Sequence, residues 1–204
     1  MEINIKKLFK DYKPYINDHK SMKKYAVLIP IVNIDNTNFI LFEVRSKTLN
    51  SQPNEISFPG GKIEYGETPK SACIRETCEE LGTINTNIEI ISELDLFVNH
   101  AQMIIHPFIG VVKNFSSLVP NLDEVDHVFL VPLTHLIQNN PVTYKNEVKV
   151  IPHKNFPYEL IPHKENYKFQ SGYYDSLFYT YKNYVIWGIT AKILENFLNI
   201  ISPI

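Results

Sequence analysis

The sequence predicts a mixed α/β fold in a single domain. Three features carry this expectation. Residues 25–44 hold apolar, β-branched runs of strand length, residues 68–81 form a helix with start and stop signals, and the C-terminal stretch is apolar at helical spacing. A chain of 204 residues buries about 70% of its unfolded surface and needs no disulfide staple. No repeat, low-complexity tract or composition break marks a linker.

Each element follows in order. Residues 1–22 are rich in lysine and asparagine, with Ile3, Ile5, Leu8, Phe9 and Tyr12 at roughly helical spacing. They are expected to form a helical extension packed on a domain spanning residues 23–204. Glu2, Asp11 and Asp18 interrupt the positive charge, which argues against a targeting peptide. Residues 25–34 read as a buried strand, residues 35–38 (Asp-Asn-Thr-Asn) as a turn, and residues 39–44 as the partner strand of a hairpin. A polar stretch, 46–55, then leads into Ser57-Phe58-Pro59-Gly60-Gly61.

In the helix over 68–81, Pro69 sits in the first turn, where a missing N–H costs nothing, and Gly82 follows as a stop. Strands are expected over 88–97, 103–112 and 128–131, with a short helix over 133–139 after Pro132. Residues 142–173 are rich in His, Lys, Pro and Tyr and predict an irregular region of short strands and binding loops. Residues 185–201 predict the terminal helix.

Composition narrows the function. Hydrophobic residues make up 44% and charged residues 21%, values ordinary for a globular protein. A net charge of −2 gives no global basic field for nucleic acid or anionic membrane. The apolar run 26–32 is broken by Pro30 and is far shorter than a membrane span. Cys73 and Cys78 share one helix, and five residues of rise separate them by about 7.5 Å on different faces, too far for a disulfide. A reducing cytoplasm is the expected compartment. Against eighteen lysines stand two arginines, Arg45 and Arg75, so the fork-shaped donors are placed sparingly.

On a helical wheel Cys73, Thr77 and Leu81 line a core stripe flanked by Ile74 and Cys78, while Arg75, Glu76, Glu79 and Glu80 fall on the opposite side. Glu76 meets Glu80 at i,i+4 and Glu79 at i,i+3, spacings at which like charges repel. A solvated acidic face is one explanation. A hard divalent cation with oxygen ligands is the other.

The helix also belongs to a longer pattern. From Gly61 the chain reads Gly-x5-Glu67-x7-Arg75-Glu76-x2-Glu79-Glu80-x-Gly82. This spacing resembles the Nudix box, with Thr77 and Thr83 where the box usually has larger aliphatics. The resemblance implies a Nudix α/β/α sandwich with a mixed β-sheet and a C-terminal helix. It also implies a diphosphatase that depends on Mg²⁺ or Mn²⁺, held by Glu76, Glu79 and Glu80 with the Gly61 carbonyl as a further ligand. Gly60 and Gly61 would face substrate phosphate. Arg75 would orient the carboxylates, and Glu67 and Gly82 would be structural. Glu124, beside Asp123 and Asp126, is either an extra metal contact or general base, or a solvated loop charge.

The box does not choose a substrate, so residues outside it must. Leu41-Phe42-Glu43-Val44-Arg45-Ser46, Leu49 and Glu55-Ile56-Ser57-Phe58-Pro59-Gly60-Gly61 resemble the motif of the coenzyme A pyrophosphatase branch. That motif runs Leu-Leu-Thr-x-Arg-Ser-x-x-Leu-Arg-x-His-x-Gly-x-Val-x-Phe-Pro-Gly-Gly. Asn50, Gln52 and Asn54 depart from it at arginine, histidine and glycine. Lys47, or lysines between 145 and 167, are candidates to replace the missing arginine as point charges. Trp187-Gly188-Ile189-Thr190 is similar to the branch's Trp-Gly-x-Thr signature. A third match is Pro120-Asn121-x-Asp123-Glu124-Val125, followed by Val128-Phe129 and Val131-Pro132-Leu133.

The implied reaction splits coenzyme A, a small-molecule nucleotide, into phosphopantetheine and adenosine 3′,5′-bisphosphate, with no nucleic-acid or membrane partner. Arg45 is then a phosphate contact, or else one half of a surface ion pair. The rival readings are a hydrolase of ADP-ribose, NADH or a dinucleotide, and a non-catalytic nucleotide sensor. Trp187 and Tyr184 are read as core anchors, and the histidines at 100, 106, 127, 135, 153 and 163 as structural or solvent-facing.

Overall fold

Two long strands seed the architecture. In the computed structural model, which describes residues 5–202, β1 (Lys23–Ile34) and β2 (Thr37–Arg45) pair antiparallel. Ile34 faces Thr37, so the connection is only Asp35 and Asn36, both at positive φ (48° and 62°). That is the two-residue turn whose twist matches the strands, and short polar side chains tolerate it. The turn is thus tighter than the four residues expected. Alternation along β1 and β2 sends Ala26, Leu28, Val32 and Leu41 to one face, and Ile29, Ile40 and Phe42 to the other. Both faces are covered, which makes this hairpin the middle layer.

β3 (Ile56–Ser57) extends the sheet beside β2, and β4 (Gly60–Lys62) pairs with β1. α2 (Pro69–Leu81) follows, after a short N-terminal α1 (Ile5–Phe9) whose Ile5 and Phe9 are exposed. Ile3 and the side chain of Leu8 lie outside the described residues. The N-cap of α2 is Thr68, which exchanges hydrogen bonds with Ser71 in a capping box. Its C-cap is Gly82 at φ 59°.

The expected strand over 88–97 is two strands, β5 (Ile88–Glu93) and β6 (Phe97–Asn99), both paired with β7 (Met103–Val112). A register shift between Ile90 and Ser92 bends the chain, and Leu94 N–H donates to the Pro107 carbonyl in the gap. β1 and β7 run parallel, which makes the sheet mixed. β8 (Val125–Pro132), longer than expected, closes on β2, and α3 (Leu133–Gln138) follows it. The main sheet has eight strands, with the path β3-β2-β1-β7-β5 at its centre.

A second, antiparallel sheet holds β9 (Val142–Val148), β10 (Gly172–Tyr181) and β11 (Tyr184–Trp187), in the order β11-β10-β9. The terminal helix α4 therefore begins at Gly188 and runs to Ile201. Residues 185–187, assigned above to that helix, form strand because they pair with Phe178–Thr180 across a turn at Lys182 (φ 53°). The interval 149–171 is irregular apart from two single 3-10 turns.

The layers follow from burial. On one face of the main sheet Ala72, Cys73 and Leu81 of α2 pack on Ala26, Leu28 and Leu41. On the other, Leu177 and Ile186 of the small sheet and Ala191, Leu194 and Phe197 of α4 pack on Ile29, Ile40, Phe42 and Phe129. Cys73 and Cys78 are free. No helix among the described residues is long and apolar enough to cross a membrane.

Gly82 gives a direct test of how α2 is placed. A Cβ added there would lie 1.8 Å from the Val119 carbonyl oxygen, in a left-handed backbone that side chains rarely adopt. Gly82→Ala is expected to cost about 2 kcal/mol or more, read as a lower midpoint in calorimetric unfolding. An unchanged midpoint would show that α2 shifts freely against the 119–121 loop.

Candidate active site

One cavity of about 800 Å³ is lined by β1, the end of β2 and the loop after it, the β3–β4 segment, α2, β7, the loop before β8 and the junction of β11 with α4. Its polar lining includes Arg45, Gly60, Gly61, Glu76, Glu80 and Glu124. Its apolar lining includes Tyr25, Met103, Ile105, Trp187, Ile189 and Ile193, with Lys62 opposite Tyr25 and Lys23 opposite Met103.

The loop and the helix define the polar lining. Gly60 N–H donates to Glu80 Oε2 at 2.7 Å. Gly61 passes so close to Glu76 that a Cβ there would lie 2.3 Å from the carboxyl carbon. Glu80 is therefore not on the solvent side of the helix, as the wheel suggested. It is buried with Cys73 and Leu81, because the glycine loop supplies an N–H on the core side. Burial pushes its carboxyl well above the usual range, and the neighbouring Glu43 carboxylate pushes it further.

Arg75 organises the outer side. Its Nε donates to Glu67 Oε1 at 2.8 Å and its Nη2 to Glu67 Oε2 at 3.0 Å, a two-pronged pair. Nη2 also donates to the Lys62 carbonyl, tying the helix to β4. Nη1 stands 2.9 Å from Glu76 Oε1 and 3.2 Å from Glu79 Oε2. One guanidinium therefore spans three carboxylates. The Arg75 hydrogen bonds, with a donated N–H from Glu64, hold the Glu67 carboxyl down at about 2. Burial pushes Glu76 up, and Arg75 opposes that shift. Glu79 is more than half exposed and points at Arg75, away from the cavity.

Arg45 and Glu124 face the box helix from β2 and the loop before β8. Ser46 N–H donates to the Glu124 carbonyl at 2.8 Å, which seats Glu124 beside Arg45. Arg45 donates through Nη2 to the Ser51 carbonyl, while its Nε is buried without a partner. It is not half of a surface ion pair. The loop it anchors explains one of the motif departures, Asn54 in place of glycine. Gln52 and Asn54 both adopt positive φ (54° and 61°), and asparagine is a residue that tolerates this where glycine is absent. Asn50 and Lys47 are exposed and do not line the cavity.

Two features escaped the sequence reading. Trp187 is not a core anchor: it is nearly half exposed, stacks on Phe178 and lines the cavity, whereas Tyr184 stacks on Phe129 in the core. Glu43 is a buried carboxylate on β2, where the motif quoted above has threonine. It accepts from Ser57 Oγ at 2.9 Å and leaves Oε2 without a partner. The available signal was a charge in the middle of an otherwise apolar strand.

Among the described residues, no three His, Cys, Asp or Glu side chains already close round a metal position. The donor chemistry nevertheless fits a hard divalent cation. Glu43, Glu76, Glu80 and Glu124 are close enough to perturb one another, all offer oxygen, and one buried carboxylate oxygen is unpartnered.

A family model described as NUDIX domain matches residues 22–176. The chain is 29% identical over 192 residues to Nudix hydrolase 3 of Caenorhabditis elegans, covering 92% of this chain and 77% of that protein. It is 31% identical over 176 residues to peroxisomal coenzyme A diphosphatase NUDT7 of Mus musculus, covering 86% and 69%. With mitochondrial coenzyme A diphosphatase NUDT8 of Homo sapiens the identity is 28% over 187 residues, covering 87% and 69%.

The Glu67–Arg75 pair carries a pH signature. The folded carboxyl sits near 2, against about 4.3 when unfolded. Its contribution is therefore complete above about 4.3 and is lost as pH falls toward about 2. Glu67→Gln is expected to melt below the parent at neutral pH, and the gap between the two midpoints should close between those values. A gap that is constant with pH would assign the loss to packing instead.

Proposed function

The chain belongs to the NUDIX domain family, and from that membership we propose that it hydrolyses the diphosphate of coenzyme A or an acyl-coenzyme A to phosphopantetheine and adenosine 3′,5′-bisphosphate. The observation that carries this reading is the mixed lining of one cavity. Its carboxylates, Arg45 and glycine loop suit a metal-bound diphosphate, and its aromatic and aliphatic residues suit a long uncharged arm. The likeness to two coenzyme A diphosphatases supports the same substrate class.

Glu76 and Glu80, with the Gly61 carbonyl, would hold Mg²⁺ or Mn²⁺, and Glu79 would join them by leaving Arg75. The ion supplies charge neutralisation at phosphoryl oxygens and acidifies water. Arg45 binds a non-bridging phosphate oxygen through its unpartnered Nε. Glu124, facing the box helix across the cavity, takes the proton of the attacking water. A new P–O bond forms at one phosphorus as the bridging P–O bond breaks, and the departing phosphate keeps the bond's electron pair. Arg75 does not line the cavity. It fixes the direction of Glu76 and holds Glu79 until that carboxylate moves to the ion, while Glu67 fixes Arg75. Trp187 and Ile193 line the path of the uncharged arm.

Cytoplasmic residence belongs to this reading and is supported by the two free cysteines. Two relatives are peroxisomal and mitochondrial by name, and imaging of a fluorescent fusion decides the compartment.

The test is product analysis by mass spectrometry with coenzyme A, dephospho-coenzyme A, ADP-ribose and NADH, each with Mg²⁺ or Mn²⁺. Phosphopantetheine should be released preferentially from coenzyme A, and Glu80→Gln should lower turnover by roughly a hundredfold. Equal cleavage of dephospho-coenzyme A, or preference for ADP-ribose, would overturn the substrate and keep the chemistry. Arg45→Gln separates binding from chemistry. Loss of one charge-assisted phosphate contact is worth about 1.5–3 kcal/mol, so KM should rise roughly tenfold or more with kcat less affected. A fall in kcat at unchanged KM would move Arg45 from binding to transition-state stabilisation.

A further inference from the structure

We propose that Glu43 is an additional carboxylate ligand of the divalent-cation centre, closing it from inside the sheet. The inference rests on the Nudix reading above, but the residue lies outside the box, and its position in the fold is what points to it. Glu43 sits on β2 between Phe42 and Val44 and is 1% exposed. Its face is that of Leu41, which packs with α2, so its side chain turns toward the helix that carries Glu80.

The hydrogen bonding is half complete. Oε1 accepts from Ser57 Oγ, while Oε2 is buried with no partner. A buried carboxylate oxygen in that state is costly and ordinarily finds a donor or a cation. Arg45 is the nearest positive group acting on Glu43. The two do not satisfy each other, since Arg45 Nε is also without a partner. Glu80 and Glu124 add negative charge beside Glu43. Across the two buried members, Glu43 and Glu80, the oxygens are met by one hydroxyl, from Ser57, and one N–H, from Gly60, whereas Glu124 is exposed.

The missing charge is positive and must accept several oxygen ligands at short range, which is what Mg²⁺ or Mn²⁺ does. Arg75 cannot supply it, because its contacts are with Glu67, Glu76 and Glu79 on the outer side. An ion seated against Glu80 would therefore take Glu43 Oε2 as its inner ligand.

Glu43→Gln preserves shape and the Ser57 contact and removes only the charge. Mn²⁺ binding, followed without substrate by the electron paramagnetic resonance of free Mn²⁺, should weaken by about tenfold or more. The metal-free variant should melt at or above the parent, because an uncompensated buried charge is gone, and the midpoint gained on adding Mn²⁺ should shrink. Glu43→Thr, a residue suited to a strand, is the second variant and should also bind Mn²⁺ more weakly. Parent-like Mn²⁺ affinity in either folded variant, with affinity lost in Glu80→Gln, would overturn the role of Glu43 and leave the Nudix centre standing. A parent protein that binds no Mn²⁺ would overturn both.

Discussion

The hydrogen bond from Gly60 N–H to Glu80 Oε2 is the joint on which the site depends. It draws a carboxylate off the solvent side of α2 and into contact with the sheet, and it works only where the loop backbone lies against the helix. A Cβ at Gly60 would fall 2.3 Å from the Ala26 carbonyl oxygen, and one at Gly61 would fall 2.3 Å from the Glu76 carboxyl carbon. Gly60 is dictated both by its φ of 150° and by close approach to backbone, whereas a side chain at Gly61 would displace the Glu76 carboxyl group. Behind them, β4 is registered on β1 through Ala26 and Val27, so the helix, the loop and the central strand form one rigid unit.

Around that unit the cavity is assembled from segments far apart in sequence. Its apolar wall comes from β1, β7 and α4. Thr190, near the start of α4, donates to the Ile56 carbonyl at 3.0 Å, which fastens the C-terminal helix beside the glycine loop. The small sheet serves this end by covering the core face opposite α2 and delivering Trp187 to the cavity mouth. The cavity lining therefore draws on all three layers, with α2 on one side, the central sheet in the middle and α4 on the other.

What was legible in the sequence was what local rules determine. Pro69 and Gly82 mark α2 because helix starts and stops are local chemistry, and the hairpin follows from the β-branched runs 25–34 and 39–44 around a polar turn, although the Thr68 cap and the two-residue length of the turn emerge only in the structure. The break between β5 and β6 was not legible, since it falls where residues 94–96 oppose only residues 106 and 107 of β7, a mismatch that pairing alone reveals. The strand at 184–187 was missed because an apolar run of that length reads equally as helix, and only pairing with β10 decides. In the site, the pattern located Glu76, Glu79 and Glu80 but could not divide them. A helical wheel treats the three as one face, whereas the tertiary environment buries Glu80 and leaves Glu79 with Arg75. Glu43 escaped because alternation alone did not reveal that its core-facing position opens onto another carboxylate.

That division orders the electrostatics of the whole site. On the outer side one guanidinium is in direct contact with three carboxylates, Glu67, Glu76 and Glu79, and offsets part of their charge, while the most exposed of them, Glu79, is also eased by solvent. On the inner side two carboxyl groups are buried: burial disfavours the ionisation of both, Glu43 adds to that at Glu80, and Ser57 and Arg45 oppose it at Glu43. A fold that invested only in stability would place apolar residues there, since replacing buried charge by packed hydrocarbon is commonly neutral or favourable. The cost is confined to the one place where the glycine loop, Arg45 and the mouth of the cavity converge. Local conflict of this kind, inside a core otherwise consistent with its pattern, is the physical mark of a site shaped for a charged ligand.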